Sequence, residues 1–190
     1  VLYMTSTDTD AIVKVDAGKG VVTENPIAVG SRPRAIAISP DGVLAYVANS
    51  YDNTVSVVNL KSGKVIGRPI NVGKIPWSVS LTSDGKYILV ANLGDHSVSI
   101  IDSVTRALAC KDILVGSHPW SIMATPNSQF AYVTNYSDSS VSVIDLKKKM
   151  VVGNPIAVGS LPRSIDIASN GHFACVANFN SGTISVIDLQ

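Results

Sequence analysis

The sequence predicts an all-β fold made of repeated four-stranded antiparallel units. Three observations predict it. A step of 43 residues recurs without insertion or deletion, side-chain character alternates with a period of two inside each step, and turn residues separate the alternating segments. Self-similarity at a period of this size marks a repeat architecture. Period-two alternation marks half-buried strands rather than helices.

Two markers set the step. Val29-Gly30-Ser31-Arg32-Pro33 returns as Val72-Gly73-Lys74-Ile75-Pro76, Val115-Gly116-Ser117-His118-Pro119 and Val158-Gly159-Ser160-Leu161-Pro162. Ala45-Tyr46-Val47-Ala48-Asn49 returns as Ile88-Leu89-Val90-Ala91-Asn92, Ala131-Tyr132-Val133-Thr134-Asn135 and Ala174-Cys175-Val176-Ala177-Asn178. Leu2-Tyr3-Met4-Thr5-Ser6 is a degenerate first copy. The chain therefore reads as a single domain, or part of one, with four complete repeats (1–43, 44–86, 87–129, 130–172) and a partial one (173–190).

One unit shows the four elements in order. Strand A is expected near Ser78–Thr82, strand B near Tyr87–Ala91, strand C near Val98–Asp102 and strand D near Ala107–Val115. Asp41-Gly42, Asp84-Gly85 and Asn170-Gly171 join A to B, where glycine supplies the positive φ of a tight turn. Asp52, Asp95 and Asp138 fall in the B–C loops. Val-Gly-x-x-Pro joins D to the next A, with glycine permitting the bend and proline fixing φ before the strand. Asn49, Asn92, Asn135 and Asn178 recur in register, which suggests turn stabilisation by side-chain to backbone hydrogen bonds. A four-stranded unit of this length cannot bury both of its faces alone. Stacked radially on copies of itself it makes a β-propeller, with strand A lining the channel and strand D at the rim.

These motifs resemble the YVTN β-propeller repeat family, related to surface-layer-type proteins. Tyr132-Val133-Thr134-Asn135 is the eponymous sequence. Ser142-Val143-Ile144-Asp145, Ser185-Val186-Ile187-Asp188 and Ser39-Pro40-Asp41-Gly42 are further family hallmarks. The resemblance covers the whole chain. It implies a binding or structural protein in an extracytoplasmic location (secreted, periplasmic or at the cell surface), without fixing an activity, because one fold hosts many.

The strand count does not close a ring. The chain opens at strand B of one blade and ends at strand C of another, giving 18 strands, between the 16 of four full blades and the 20 of five. Starting at Val1, it reads as a processed or truncated piece of a larger propeller. The alternatives are a five-bladed ring with a thinned seam, and closure by a partner chain.

Composition narrows the classes. Hydrophobic residues are 46% and charged residues 15% of the chain, a balance that suits a packed β protein and argues against disorder. Lys+Arg is 15 and Asp+Glu 14, so no global field points to nucleic acid or an anionic membrane. No apolar run nears the ~20 residues of a membrane helix, so no membrane insertion is expected. Cys110 and Cys175 fall in different columns of the repeat, and both are expected as buried thiols, with no disulfide and no redox role.

Copies share their scaffold residues, so a site should lie where they differ. The residue after the loop proline is Arg34, Trp77, Trp120 or Arg163, a column holding both tryptophans. The residue before it adds Arg32 and His118, and Lys74 lies one further back. These loops ring the channel mouth, where the B–C loops add Tyr51, Tyr136 and Phe179. Arginine forks hold phosphate or carboxylate and tryptophan gives a stacking platform. The ligand-binding candidates are therefore Arg32, Arg34, Trp77, His118, Trp120 and Arg163, for an anionic, single-stranded nucleic-acid, glycan or protein ligand. The competing reading is a structural plug of cation–π pairs.

No catalytic residue, cofactor or metal site is expected. His96 and His118 should share a face but His172 lies opposite, short of the converging ligands zinc needs. Asp166 is the one carboxylate in a strand A, placed to pair with Arg163 or Arg34. Acid–base or glycosidase chemistry wants a second converging carboxylate. Lys147-Lys148-Lys149 reads as a solvated hairpin tip. Three functions follow in order: a non-catalytic binding propeller, a structural or adhesive surface protein, and a propeller hydrolase or lactonase.

Overall fold

The computed structural model describes residues 1–190 and holds five antiparallel sheets, one per blade. Blade I comprises β1 (Leu2–Ser6), β2 (Ala11–Asp16), β3 (Val21–Val22) and β4 (Ile27–Ala28). Blade II comprises β5 (Pro33–Ile38), β6 (Leu44–Asn49), β7 (Thr54–Asn59), β8 (Lys64–Val65) and β9 (Ile70–Asn71). Blade III comprises β10 (Pro76–Leu81), β11 (Tyr87–Asn92), β12 (Ser97–Asp102), β13 (Ala107–Leu108) and β14 (Ile113–Leu114). Blade IV comprises β15 (Pro119–Ala124), β16 (Phe130–Asn135), β17 (Ser140–Asp145), β18 (Met150–Val151) and β19 (Ile156–Ala157). Blade V has β20 (Pro162–Ile167), β21 (Phe173–Asn178) and β22 (Thr183–Asp188). The sequence repeats begin at strand B, so each sheet straddles two of them.

The count rises from the expected 18 strands to 22 because each strand D is broken into two short pieces. The break falls on Pro26, Pro69 and Pro155, which have no N–H to give a ladder, and on Ala109–Asp112 in blade III. Two-residue pieces at the rim also offer little continuous edge for pairing with another chain.

Side-chain alternation explains why strand B reads as an unbroken apolar run. Ile88 and Val90 face blade II, where they pack with Tyr46, Val55 and Val57. Leu89 and Ala91 face blade IV, packing with Ile122, Val133 and Ile144. Similar clusters join blades I and II through Ile12, Ala45, Val47 and Val58, and blades IV and V through Tyr132, Val141, Ile165 and Val176. No cluster joins blade V to blade I. The blades form an open arc rather than a closed five-bladed ring. Its two end faces are bare: Leu2 and Met4 are each 53% exposed, Ile184 70% and Val186 65%.

That bare face corrects the cysteine expectation. Cys175 is exposed, although its column holds the buried Tyr46, Leu89 and Tyr132 in the preceding blades, because nothing packs on this side of blade V. Cys110 is half-buried at the rim, and burial pushes its thiol pKa up. Both thiols are free.

The repeated asparagines act on side chains rather than on backbone. Asn92 Nδ2 donates to Ser97 Oγ at 3.1 Å and Ser99 Oγ at 2.8 Å. Asn49, Asn135 and Asn178 make the equivalent pairs. The glycine of each Val-Gly-x-x-Pro loop lies against this asparagine. A Cβ on Gly73 would stand 2.5 Å from Asn92 Nδ2, so close approach, and not a left-handed bend, requires glycine there. The positive φ falls instead on the residue before proline: Arg32 (53°), Ile75 (51°), His118 (55°) and Leu161 (52°). In the A–B turns the expectation holds, with φ of 72° at Gly42, 69° at Gly85 and 73° at Gly171.

Aspartates brace the turns. Asp41 accepts from Ser39 Oγ and Val43 N, and Asp84 from Thr82 Oγ1 and Lys86 N. Asp102 accepts from the N–H groups of Thr105 and Val104, and Asp145 from those of Lys148 and Lys147. These donors hold all four carboxyls below the ordinary carboxylate range. The unfolded chain therefore takes up protons first on acidification, and the stability these groups add above that range is lost as pH falls through their lower folded values. A midpoint of thermal unfolding that falls steadily below about pH 4, less steeply in Asp84→Asn, is the expected result by circular dichroism.

Candidate functional site

Each loop proline opens strand A at a register shift: between Pro33 and Ala35, Pro76 and Ser78, Pro119 and Ser121, and Pro162 and Ser164. The residue skipped by the ladder is Arg34, Trp77, Trp120 or Arg163. A bulge re-aims the side chain it carries. Here it places the variable column together at the channel mouth. The loops are pinned by the B–C aspartates, since Ser31 N, Lys74 N and Ser117 N donate to Asp52, Asp95 and Asp138 at 2.7, 2.7 and 2.6 Å. In blade V Ser181 Oγ takes this place, accepting from Ser160 N.

The column forms a continuous stack. The Arg34 guanidinium carbon lies 4.4 Å from the Trp77 ring centroid. Trp77 and Trp120 are 4.7 Å apart, tilted by 55°. Trp120 stacks on Tyr136 at 4.8 Å and 27°. Arg163 closes the far end, 5.2 Å from Trp120, 6.0 Å from Tyr136 and 3.5 Å from Phe179. Arg34 and Phe179 are exposed, and both tryptophans are half-buried. No carboxylate lies within 4.0 Å of either guanidinium, the ion pairs being Lys14–Glu24, Arg32–Asp8, Lys74–Asp95 and Lys148–Asp145. Arg163 Nε is buried with no hydrogen-bond partner.

The other two candidates stand apart from this stack. Arg32 turns to Tyr51, at 5.0 Å, and pairs with Asp8 at 2.9 Å. The His118 ring meets His96 edge-on at 4.7 Å, and its Nδ1 bonds Ser137 Oγ at 2.9 Å. Both belong to the column before the loop proline, whose left-handed backbone sets it apart from the bulged one. Asp166 pairs with neither arginine; its Oδ1 accepts from Ile167 N at 2.9 Å. No group of three or more His, Cys, Asp or Glu side chains converges as a metal site would. No helix is long and apolar enough to cross a membrane.

Fold and site together define a β-propeller with a cation-capped aromatic stack at its mouth. The chain belongs to the YNCE-like beta-propeller family, whose model matches residues 9–190. Among solved structures it resembles the hydrazine synthase of Kuenenia stuttgartiensis, with a TM-score of 0.86 and 23% identity over 99% of this chain and 59% of that one. A functionally unknown protein from Desulfotomaculum acetoxidans matches with a TM-score of 0.79 and 17% identity over 98% and 65% of the two chains. A candidate 6-phosphogluconolactonase from Bacteroides uniformis matches with a TM-score of 0.79 and 12% identity over 94% and 60%. At these identities the likeness is one of fold. The chain spans less than two thirds of the length of each of these proteins. No curated protein matches the sequence.

Proposed function

We propose that this chain is a non-catalytic binding propeller that holds an anionic ligand with planar groups at the channel mouth. One observation carries the reading: two guanidiniums without carboxylate partners cap a ladder of two tryptophans. Single-stranded nucleic acid matches this chemistry best, with bases on the rings and phosphates on the arginines. A glycan or a protein segment would use the same rings with fewer charges. The proposal includes an extracytoplasmic location, supported by the family resemblance.

The test is a titration with short oligonucleotides, heparin-like polyanions and neutral oligosaccharides, followed by intrinsic tryptophan fluorescence. Both tryptophans of the chain lie in the stack, so the signal comes from the site itself. A saturable change that weakens steeply with salt is expected. No response to any of these ligands overturns the reading.

A second reading, a structural or adhesive protein, is favoured by the bare end faces of the arc, which can receive further blades from additional chain or from a partner. Sedimentation of the purified chain as a monodisperse monomer, with both faces open to probes, counts against it. A hydrolase or lactonase stands third, with Asp166 as its one strand-A carboxylate.

A further inference from the structure

In three of the interblade loops the residue before the proline gives its N–H to a side chain of the preceding blade. Arg32 N donates to Asp10 Oδ1 at 2.8 Å, Ile75 N to Asn53 Oδ1 at 2.9 Å and His118 N to His96 Nδ1 at 3.0 Å. Asp10, Asn53 and His96 hold one place in the repeat, each on left-handed backbone. The carbonyl of the same residue takes a second bond from the valine that opens the loop, as His96 O does from Val115 N at 2.9 Å. One residue thus holds the interblade loop at both ends.

The blade III copy differs in its chemistry. Asp and Asn oxygens accept throughout the range near neutrality. An imidazole nitrogen accepts only while it carries no proton. A backbone N–H can only donate, so the ring proton of His96 is assigned to Nε2. The His118 ring meets the His96 ring edge-on at 4.7 Å, so protons on both would set two like charges side by side. Both histidines are exposed, and protons reach them directly.

The charged groups around His96 leave it without an ionic partner. Asp95, on its own loop, accepts from Lys74 N at 2.7 Å and pairs with the Lys74 ammonium at 3.8 Å. Asp138, on the B–C loop of blade IV, accepts from Ser117 N at 2.6 Å. Asp112, in the break between β13 and β14, accepts from Ser99 Oγ at 2.7 Å, with Lys111 beside it. No carboxylate lies within 4.0 Å of either imidazole. Protonation of His96 therefore costs a hydrogen bond and gains no ion pair.

The bond holds a loop that leads to the mouth. His118 is followed by Pro119 and Trp120, and His118 O accepts from Tyr136 N at 3.0 Å. Tyr136 is the ring on which Trp120 stacks. We propose that His96 is a pH-operated latch on this loop. With Nδ1 bare the latch is shut. As pH falls through the histidine range, a proton on Nδ1 removes the acceptor and frees the loop from Val115 to Pro119, with the indole that follows it. In blade IV Ser139 stands at this place and holds its loop through the backbone bond from Val158 N, at 3.0 Å, so a junction of this kind persists without a side-chain latch. The latch is a property of the loop and does not depend on what the mouth binds.

Amide hydrogen exchange, followed by NMR on the full chain from about pH 8 to about pH 5, tests this. Protection of the His118 amide, taken relative to the unstructured rate at each pH, should fall about threefold to tenfold, the strength of one hydrogen bond. The Ile75 amide, held by Asn53, should keep its protection and serves as the internal control. His96→Asn copies the blade II residue and should hold His118 equally at both ends of the range. His96→Ala should lower that protection to its acid value at every pH. Tryptophan emission should shift over the same range in the unsubstituted chain and lose the shift in His96→Asn. Protection of His118 or tryptophan emission that stays constant with pH in the unsubstituted chain overturns the proposal. So does a pH response that persists in His96→Asn, which would assign it to the His118 ring instead.

Discussion

Gly73→Ala is expected to lower the unfolding free energy by about 3 kcal/mol. The added methyl would stand 2.5 Å from Asn92 Nδ2, 2.7 Å from its Cγ and 2.9 Å from its Cβ. Asn92 is fully buried and cannot step aside without breaking its bonds to Ser97 and Ser99. Ser99 also accepts from Gly73 N, so the loop, the asparagine and strand C give way together. A stability of 5–15 kcal/mol is typical of a domain, so such a loss should be plain in urea denaturation. Gly42→Ala is the control: nothing lies within 4 Å of its Cβ position, and only the φ of 72° resists. Its cost should be about 1 kcal/mol. Equal costs at the two sites would mean that the asparagine lock contributes little.

Trp120→Ala is expected to weaken anion binding at the mouth by roughly ten- to a hundredfold, the worth of one to two stacked platforms. Trp120 is the centre of the ladder. It touches Trp77 on one side, Tyr136 on another and Arg163 on a third. Its removal takes away a platform and frees the guanidinium it orients. Arg163→Gln separates the two effects: it keeps the rings and removes the charge. Affinity in Arg163→Gln should therefore fall most at low salt, and the salt dependence should become shallower. Unchanged affinity in both variants, with the fold intact by circular dichroism, would leave the stack as packing.

Blade number, strand order and the identity of the mouth column were legible in the sequence because they depend on repetition alone. A side chain that differs at a fixed place in an otherwise constant unit is visible without coordinates, as Arg34, Trp77, Trp120 and Arg163 were. The grouping within the mouth was not legible. Arg32 and His118 lie two residues before members of the column, yet they sit on left-handed backbone before the proline and the column sits on the bulge after it. Neither feature has a period. The role of the loop glycine was misread for a related reason: Val-Gly-x-x-Pro looks like a bend, but its partner is an asparagine on the adjoining strand 19 positions later.

The uncovered side of blade V also turns Cys175 into a reporter. In the three preceding copies the same place is shut inside a seam between blades, whereas here a thiol stands in the open. A maleimide should modify it within minutes in the isolated chain, while the half-buried Cys110 reacts slowly, its thiolate disfavoured by burial. Whatever docks on that side, another blade or another molecule, should silence the reaction. The rate of labelling thereby becomes a direct count of how often the arc is capped.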